Sequence, residues 1–300
     1  MTLAHVPAVH ALISDPSLAR EFEVLLPPGE LEDEWKDPYF LPGLARLALL
    51  DGEPAGVSMG YVIPREDGGF AFLRIGVIGS RRRRGIGSAL LRSGLEALER
   101  TEPGRAVQEI SISAWLPNDG ATGFAVSHGF RHARFFWRMD RERGTAVPPP
   151  PWPVGIEVRE VDGSDRMLAD WNQSYNRAFA AHFHFVPSTV AGLRQRMETE
   201  EFRSGAILLA YLGSACVGFC RDAFHGRRGE VALVGVVPEA RGLGLGRALL
   251  RWGVDWIQAR DTDTVELLVD GENENALALY RSEGFVVTET REVWSRPPQL

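Results

Sequence analysis

The chain has 300 residues, 44% hydrophobic and 24% charged, with a formal net charge of -7. That is globular composition at a length suited to two domains, and the acidic balance argues against a nucleic-acid partner, which would need a basic face. No run of about 18 apolar residues could cross a membrane, and Met1 to Ser14 lacks the basic and long apolar regions of a signal peptide, so a cytoplasmic location is expected.

In chain order, the first half shows a helix with Ile86, Leu90 and Leu98 at helical spacing, then a strand near Phe135 to Met139. The segment Arg141 to Gly155 follows, with Pro148 to Pro151 consecutive and Pro153 after Trp152. Such a stretch favours extended polyproline geometry and reads as a semi-rigid linker. The expected division is therefore 1–144, a linker 145–155, and 156–300. Ala206 to Leu212 and Ala215 to Cys220 form a hairpin pattern about Gly213-Ser214. Glu230 to Val237 is a valine-rich strand. Leu245, Leu249, Trp252 and Trp256 mark an amphipathic helix over Leu243 to Arg260. Val265 to Val269 is a strand, Asn275 to Glu283 a short helix ended by Gly284, and Phe285 to Trp294 a last strand. Cys216 and Cys220 are too few for a disulfide framework and read as buried thiols. His182 and His184 lack the further donors that a metal would need, so they read as pocket lining or surface and no metal is expected.

The two halves repeat each other. RIGVIGSRRRRGIGSALLRSGLEAL, Arg74 to Leu98, parallels LVGVVPEARGLGLGRALLRWGVDWI, Leu233 to Ile257. NDGATGFAVSHGF, Asn118 to Phe130, parallels NENALALYRSEGF, Asn273 to Phe285. The order is the same in both halves, which two copies of one fold explain.

In each copy a glycine-rich turn leaves a strand and opens a helix: Arg241-Gly242-Leu243-Gly244-Leu245-Gly246-Arg247, and Arg82-Arg83-Arg84-Gly85-Ile86-Gly87-Ser88. Glycine permits the sharp turn, and the helix's first N–H groups with its dipole favour an anion such as a diphosphate. A tight turn without a ligand is the alternative. A P-loop would need a lysine and then Ser or Thr after the last glycine, where Arg247 and Ser88 stand. A dinucleotide fingerprint would need a third glycine at Leu249.

At these residues the chain resembles the GCN5-related N-acetyltransferases (GNAT). Arg241-x-x-Gly244-x-Gly246 and Arg82-x-x-Gly85-x-Gly87 match that family's acetyl-CoA signature. Asn273, Ala276, Leu279, Tyr280, Gly284 and Phe285 match its later signature in full. The first copy keeps Asn118, Ala121, Phe124, Gly129 and Phe130 but has Ala125 for the tyrosine. The resemblance implies two tandem α/β domains, each a mixed, mostly antiparallel sheet flanked by helices. It also implies acetyl-CoA as co-substrate, held at Val236, Val237, the two turns, Asn273, Ala276 and Asn118. Within the family the tandem arrangement, with Gly229 to Val236 and Asn176 to Ala180, is similar to the mycothiol synthases.

The implied reaction is direct transfer of an acetyl group to a primary amine in a ternary complex. Glu230 takes the amine proton, directly or through water, a backbone N–H near Val236 holds the developing oxyanion, and Tyr280 protonates the leaving thiolate. A solvated strand end and a packed helix tyrosine are the other readings of Glu230 and Tyr280. A small molecule is the expected acceptor; a cysteinyl amino-sugar, as in mycothiol synthesis, is the specific alternative, and a non-catalytic acetyl-CoA sensor or scaffold is the rival class. The oligomeric state is open and a monomer is compatible. Aligning Arg82 with Arg241 sets Ala71 at the Glu230 position, and Ala125 stands at the Tyr280 position. The first copy is thus expected to be non-catalytic while keeping its phosphate cradle.

Overall fold

The computed structural model describes residues 2–22, 31–32, 37, 39–65, 68–198 and 205–298. The chain forms two compact units, Met1–Phe136 with Glu289–Leu300, and Trp137–Thr288.

In the first unit α1 (Val6–Ile13) and α2 (Ala19–Phe22) precede β1 (Arg46–Leu50), β2 (Glu53–Ile63) and β3 (Gly69–Val77). Then come α3 (Ile86–Arg100), α4 (Glu102–Arg105), β4 (Val107–Leu116), α5 (Asp119–Ser127) and the start of β5 (Arg131–Arg141). β1, β2 and β3 are antiparallel neighbours, and β4 joins β3 in parallel. Val6, Val9, Leu12 and Phe22 bury against Val57 and Met59 on one face of this sheet. Leu91, Leu95 and Leu98 bury against Leu73 and Ile110 on the other.

The second unit repeats the plan. It has β6 (Ile156–Glu160), α6 (Asp165–Phe179), α7 (Val190–Arg196), β7 (Ala206–Leu212), β8 (Ala215–His225) and β9 (Arg228–Val236). α8 (Leu245–Gln258), β10 (Thr264–Asp270), α9 (Glu274–Ser282) and β11 (Val286–Arg296) follow. β6 to β9 are antiparallel in sequence order and β10 is parallel to β9. The helical periodicity read from Leu245 and Leu249 is met: Leu249, Leu250 and Ile257 are fully buried, each such side chain contributing roughly 1.5–3 kcal/mol. Trp171 and Phe219 fill the opposite face, beneath α6 and α7. Both cysteines are buried thiols.

The compact units do not end where the proline-rich segment does. Arg141 is buried; its guanidinium donates to the carbonyls of Glu283, Thr145 and Ala146 at 2.9, 3.1 and 3.0 Å. Val147 and Trp152 pack on the second core. The segment expected as a linker is therefore tied to the second unit. At the other end of the chain, Thr290–Arg296 of β11 pair antiparallel with β4, so these residues complete the first unit's sheet. A strand end takes whichever partner supplies its hydrogen bonds, and local sequence does not name that partner.

Candidate active site

In each unit two parallel strands part into a fork. β9 and β10 pair only over Arg228–Glu230 and Thr264–Glu266, then run on apart to Val236 and Asp270. β3 and β4 likewise pair from Gly69 to Phe72 and then separate. The glycine turn lies at the tip of the first tine. Gly244 (φ +85) is the N-cap of α8 and Gly85 (φ +78) that of α3, both in the left-handed region. Among the described residues, nothing lies within 4 Å of a Cβ built on Gly244, Gly242 or Gly85, so open space lies before each turn. The first bond of α8 runs from Ala248 N to Gly244 O, which leaves the N–H groups of Leu245, Gly246 and Arg247 ahead of it without intrahelical acceptors. Ile86, Gly87 and Ser88 stand the same way in α3, and Arg83 (φ +62) takes the left-handed place that Gly242 fills in the second copy. This geometry suits a diphosphate held on N–H groups. In the first unit the cradle opens into a cavity of about 440 Å³, lined by Arg82, Arg83, Gly85, Ser88, Asn118 and Phe124 among others.

The signature arginines do something else. Arg241 Nε donates to Val236 O at 3.1 Å and its Nη2 to Ala178 O at 2.9 Å. Arg82 repeats this with Val77 O at 3.0 Å and Ser17 O at 2.8 Å. Their guanidinium hydrogen bonds run to main-chain carbonyls, so these arginines shape the turn. Arg247 pairs with the half-buried Glu283, which also accepts from Arg251 Nε at 2.8 Å. Burial would raise the Glu283 pKa, but Arg251 and Arg247 outweigh it and hold the carboxyl below its ordinary range. Asn273 and Asn118 cap α9 and α5, their Oδ1 atoms accepting from Ala276 N at 3.2 Å and Ala121 N at 3.0 Å. Val237 N–H is likewise committed, to Val217 O at 3.0 Å. Because amides alternate along a strand, Val236 N–H points the other way, into the fork. Val236, rather than Val237, can offer a donor there.

Glu230 and Tyr280 come to opposite faces of the second fork. Val231, Val265 and Leu267 face the α8 core, and Gly229 abuts Ile257 of α8, so Glu230 points to the α6 side. Tyr280 packs on the α8 core, with its ring 6.1 Å from Phe285. Burial pushes its phenol up to about 12, with Cys220 adding to the rise, so it holds its proton at neutral pH. Beside Glu230 in register stands Glu266, 5% exposed and 3.5 Å from Arg228. Burial raises the Glu266 pKa, with Glu230 and Asp140 adding and Arg228 and Arg138 opposing. Behind the fork Asp222 is 1% exposed, and burial, with Glu230 adding, pushes its carboxyl up to about 8 against the Cys220 hydrogen bond and the Arg221 and Arg260 charges. Neither Glu266 nor Asp222 was singled out from sequence. A lone carboxylate inside an apolar strand, as in Val265-Glu266-Leu267-Leu268-Val269, was the available signal. His182 stacks edge-on to Phe179 at 4.5 Å; desolvation lowers its pKa, helped by Arg241 and opposed by Asp270.

β8 and β9 shift register at Asp222: Arg221 faces Leu233 but Asp222 faces Val231, so Ala232 is a bulge. β2 and β3 run from Gly56/Val77 to Ile63/Phe70 without a shift. With Gly218/Val236 equivalent to Gly56/Val77, the strand partner of Glu230, Ala223, corresponds to Tyr61, whose partner is Phe72. The first unit therefore has Phe72, not Ala71, at the Glu230 position; the extra residue at Ala232 hides this from an ungapped alignment. Ala71 is fully buried in the α3 core, as is Ala125.

Among the described residues no helix is long and apolar enough to cross a membrane, and no group of three or more His, Cys, Asp or Glu could hold a metal. The GNAT acetyltransferase family model matches residues 9–130 and 167–285, one copy in each half. The chain belongs to the GNAT acetyltransferase family. It is thus an acyltransferase, and GNAT acetyltransferases draw on acetyl-CoA. It is similar to a mycothiol acetyltransferase of Thermobispora bispora, 33% identical over 80% of this chain and 83% of that protein. A second of that name, from Clavibacter michiganensis, is 33% identical over 81% of this chain and 77% of that protein. Among solved structures, a GCN5-related N-acetyltransferase from Sphaerobacter thermophilus superposes with TM-score 0.73 at 24% identity, covering 100% of this chain and 95% of that one. A tandem GNAT protein from the clavulanic acid biosynthesis pathway gives TM-score 0.73 at 17% identity, over 99% and 96%. These two likenesses speak for the fold.

Proposed function

We propose that the second unit transfers an acetyl group from acetyl-CoA to a primary amine of a small molecule, by direct attack, in the cytoplasm. The observation that carries this is the second fork, where Glu230 and Tyr280 lie on opposite faces and the cradle stands at the tip of β9. An ammonium is not a nucleophile, so the amine must lose a proton, which Glu230 accepts on the α6 side. The fork-side backbone N–H groups of β9, the last of them at Val236, supply a donor to the carbonyl oxygen as negative charge gathers there. The thiolate leaves on the α8 side, where Tyr280 gives up the proton that burial made it keep. Asn273 Nδ2 and the α8 amide groups hold the cofactor's arm and diphosphate. Phe72 and Ala125 can neither take nor give a proton, so the first unit is proposed as non-catalytic with its cradle retained.

The names of the aligned relatives favour one specific acceptor, a cysteinyl amino-sugar of mycothiol synthesis, over other amines. Thiol release from acetyl-CoA, measured with that acceptor and with amino sugars, polyamines, amino acids and aminoglycosides, separates these and the sensor reading. Glu230→Gln and Tyr280→Phe are expected each to cut turnover by about 10²–10⁴-fold while acetyl-CoA affinity stays nearly unchanged. Near-native turnover in both would remove the assignment.

A further inference from the structure

The two forks are anchored differently. In the first unit the α1–α2 turn crosses from tine to tine. On the β3 side Ser17 Oγ accepts from Gly79 N at 2.8 Å, and Ser17 O accepts from Arg82 Nη2 at 2.8 Å. On the β4 side the Glu21 carboxylate accepts twice, from Trp115 N at 3.2 Å and from Asn118 Nδ2 at 2.9 Å. Glu21, Asn118 and the cradle glycine Gly85 line one cavity. In the second unit Arg241 Nη2 reaches Ala178 O at 2.9 Å, so Ala178 stands where Ser17 does. Four residues further along, where the first copy has Glu21, stands His182. Asn273 caps its helix as Asn118 does, but among the described residues its Nδ2 donates to no protein acceptor. Ala178 has no hydroxyl, and Pro238, which follows Val237 as Gly79 follows Ile78, has no N–H, so the Ser17–Gly79 bond has no counterpart either.

We propose that Glu21 decides how the two cradles load: by occupying the donors of Trp115 and Asn118 it makes the first unit the weak acetyl-CoA site and leaves the second the strong one. This rests on reading both forks as acetyl-CoA sites. The arm of acetyl-CoA is an uncharged chain with two amides, whose carbonyls need N–H donors inside the fork. A carboxylate on those same donors makes charge-assisted bonds, which are stronger than the neutral ones that would replace them. Binding in the first unit therefore requires the carboxylate to swing away and be solvated. The diphosphate cradle is untouched, so the site is weakened and not abolished.

Calorimetric titration of the full chain with acetyl-CoA tests this. Gly244→Val removes the second cradle and isolates the first site. Adding Glu21→Ala in that background should tighten the remaining site by about tenfold or more, and Glu21→Gln, which keeps the shape and one acceptor, should fall between. Gly85→Val should abolish the gain. In the chain with Gly244 intact, Glu21→Ala should leave thiol release unchanged. If circular dichroism shows Glu21→Ala misfolded, the near-isosteric Gln variant carries the comparison. Equal affinity with and without the carboxylate, or two equal sites in the unmodified chain, overturns the proposal. Acetyl-CoA binding to neither fork overturns the acetyltransferase reading itself.

Discussion

Asp222 offers a measurable stability switch. Its side chain lies under α8, where Oδ1 accepts from Cys220 Sγ at 3.6 Å and, among the described residues, Oδ2 has no hydrogen-bond partner. Gly253 of α8 leaves room for it: a Cβ there would meet Oδ1 at 2.7 Å. Burial carries its pKa from the ordinary 3.8 to about 8. A carboxyl whose folded pKa is raised binds more protons folded than unfolded between those two values. Its contribution to stability is therefore complete below about pH 4 and is lost progressively as pH rises towards 8. One pKa unit is about 1.4 kcal/mol, so by pH 7 the ceiling on the loss is roughly 4 kcal/mol, and relaxation around the ion brings it nearer to 2–3 kcal/mol. Asp222→Asn cannot ionise and keeps the acceptor for Cys220. The variant should show flatter stability from pH 5 to 8 and exceed the unmodified chain at pH 8 by that amount. Urea unfolding followed by tryptophan fluorescence at each pH reads it directly. Parallel stability curves for the two chains would refute the argument, because they would mean that Asp222 ionises as readily folded as unfolded.

Other expectations follow from the same geometry. Gly244→Val puts a β-branched residue at φ +85 and a side chain into the open cradle, and should weaken acetyl-CoA at the second site at least tenfold by calorimetry; unchanged affinity would make the turn purely structural. The full chain carrying both Glu230→Gln and Tyr280→Phe should release thiol at the background rate, because Phe72 and Ala125 leave the first unit without an acid or base; sustained turnover would show that it works with other groups. The intact chain suits this test better than a fragment ending near Gly144, which would lack the Thr290–Arg296 partner of β4. Glu283→Ala strands Arg247 and Arg251, which are partly exposed, and should cost roughly 2 kcal/mol, between the surface and the buried case, read as a drop in thermal midpoint; an unchanged midpoint would show the cluster to be worth no more than surface pairs.

Much of this protein was legible locally. The hairpin over Ala206 to Cys220, the α8 stripe of Leu245 and Leu249, the two glycine turns and the Asn-to-Phe signatures are short patterns, set by backbone sterics and the helical period, and the last two carry the family resemblance. Tyr280 stands out because it lies within the Asn-to-Phe signature, and Glu230 by its place on the valine-rich strand together with the family resemblance. What needed the tertiary structure depends on partners far along the chain. The bulge at Ala232 appears only when β9 is laid against β8, and it moves the Glu230 equivalent from Ala71 to Phe72. The use of Arg82 and Arg241 on the carbonyls of Val77, Ser17, Val236 and Ala178 could not be told from phosphate binding by residue type alone. Glu21 lies 97 residues from Asn118, so no local window could pair them. Trp294 packs in the first unit's core although it lies at the far end of the chain. Periodicity says which way a side chain points on its own element, while register and hydrogen-bond partners are settled by closure of the whole sheet.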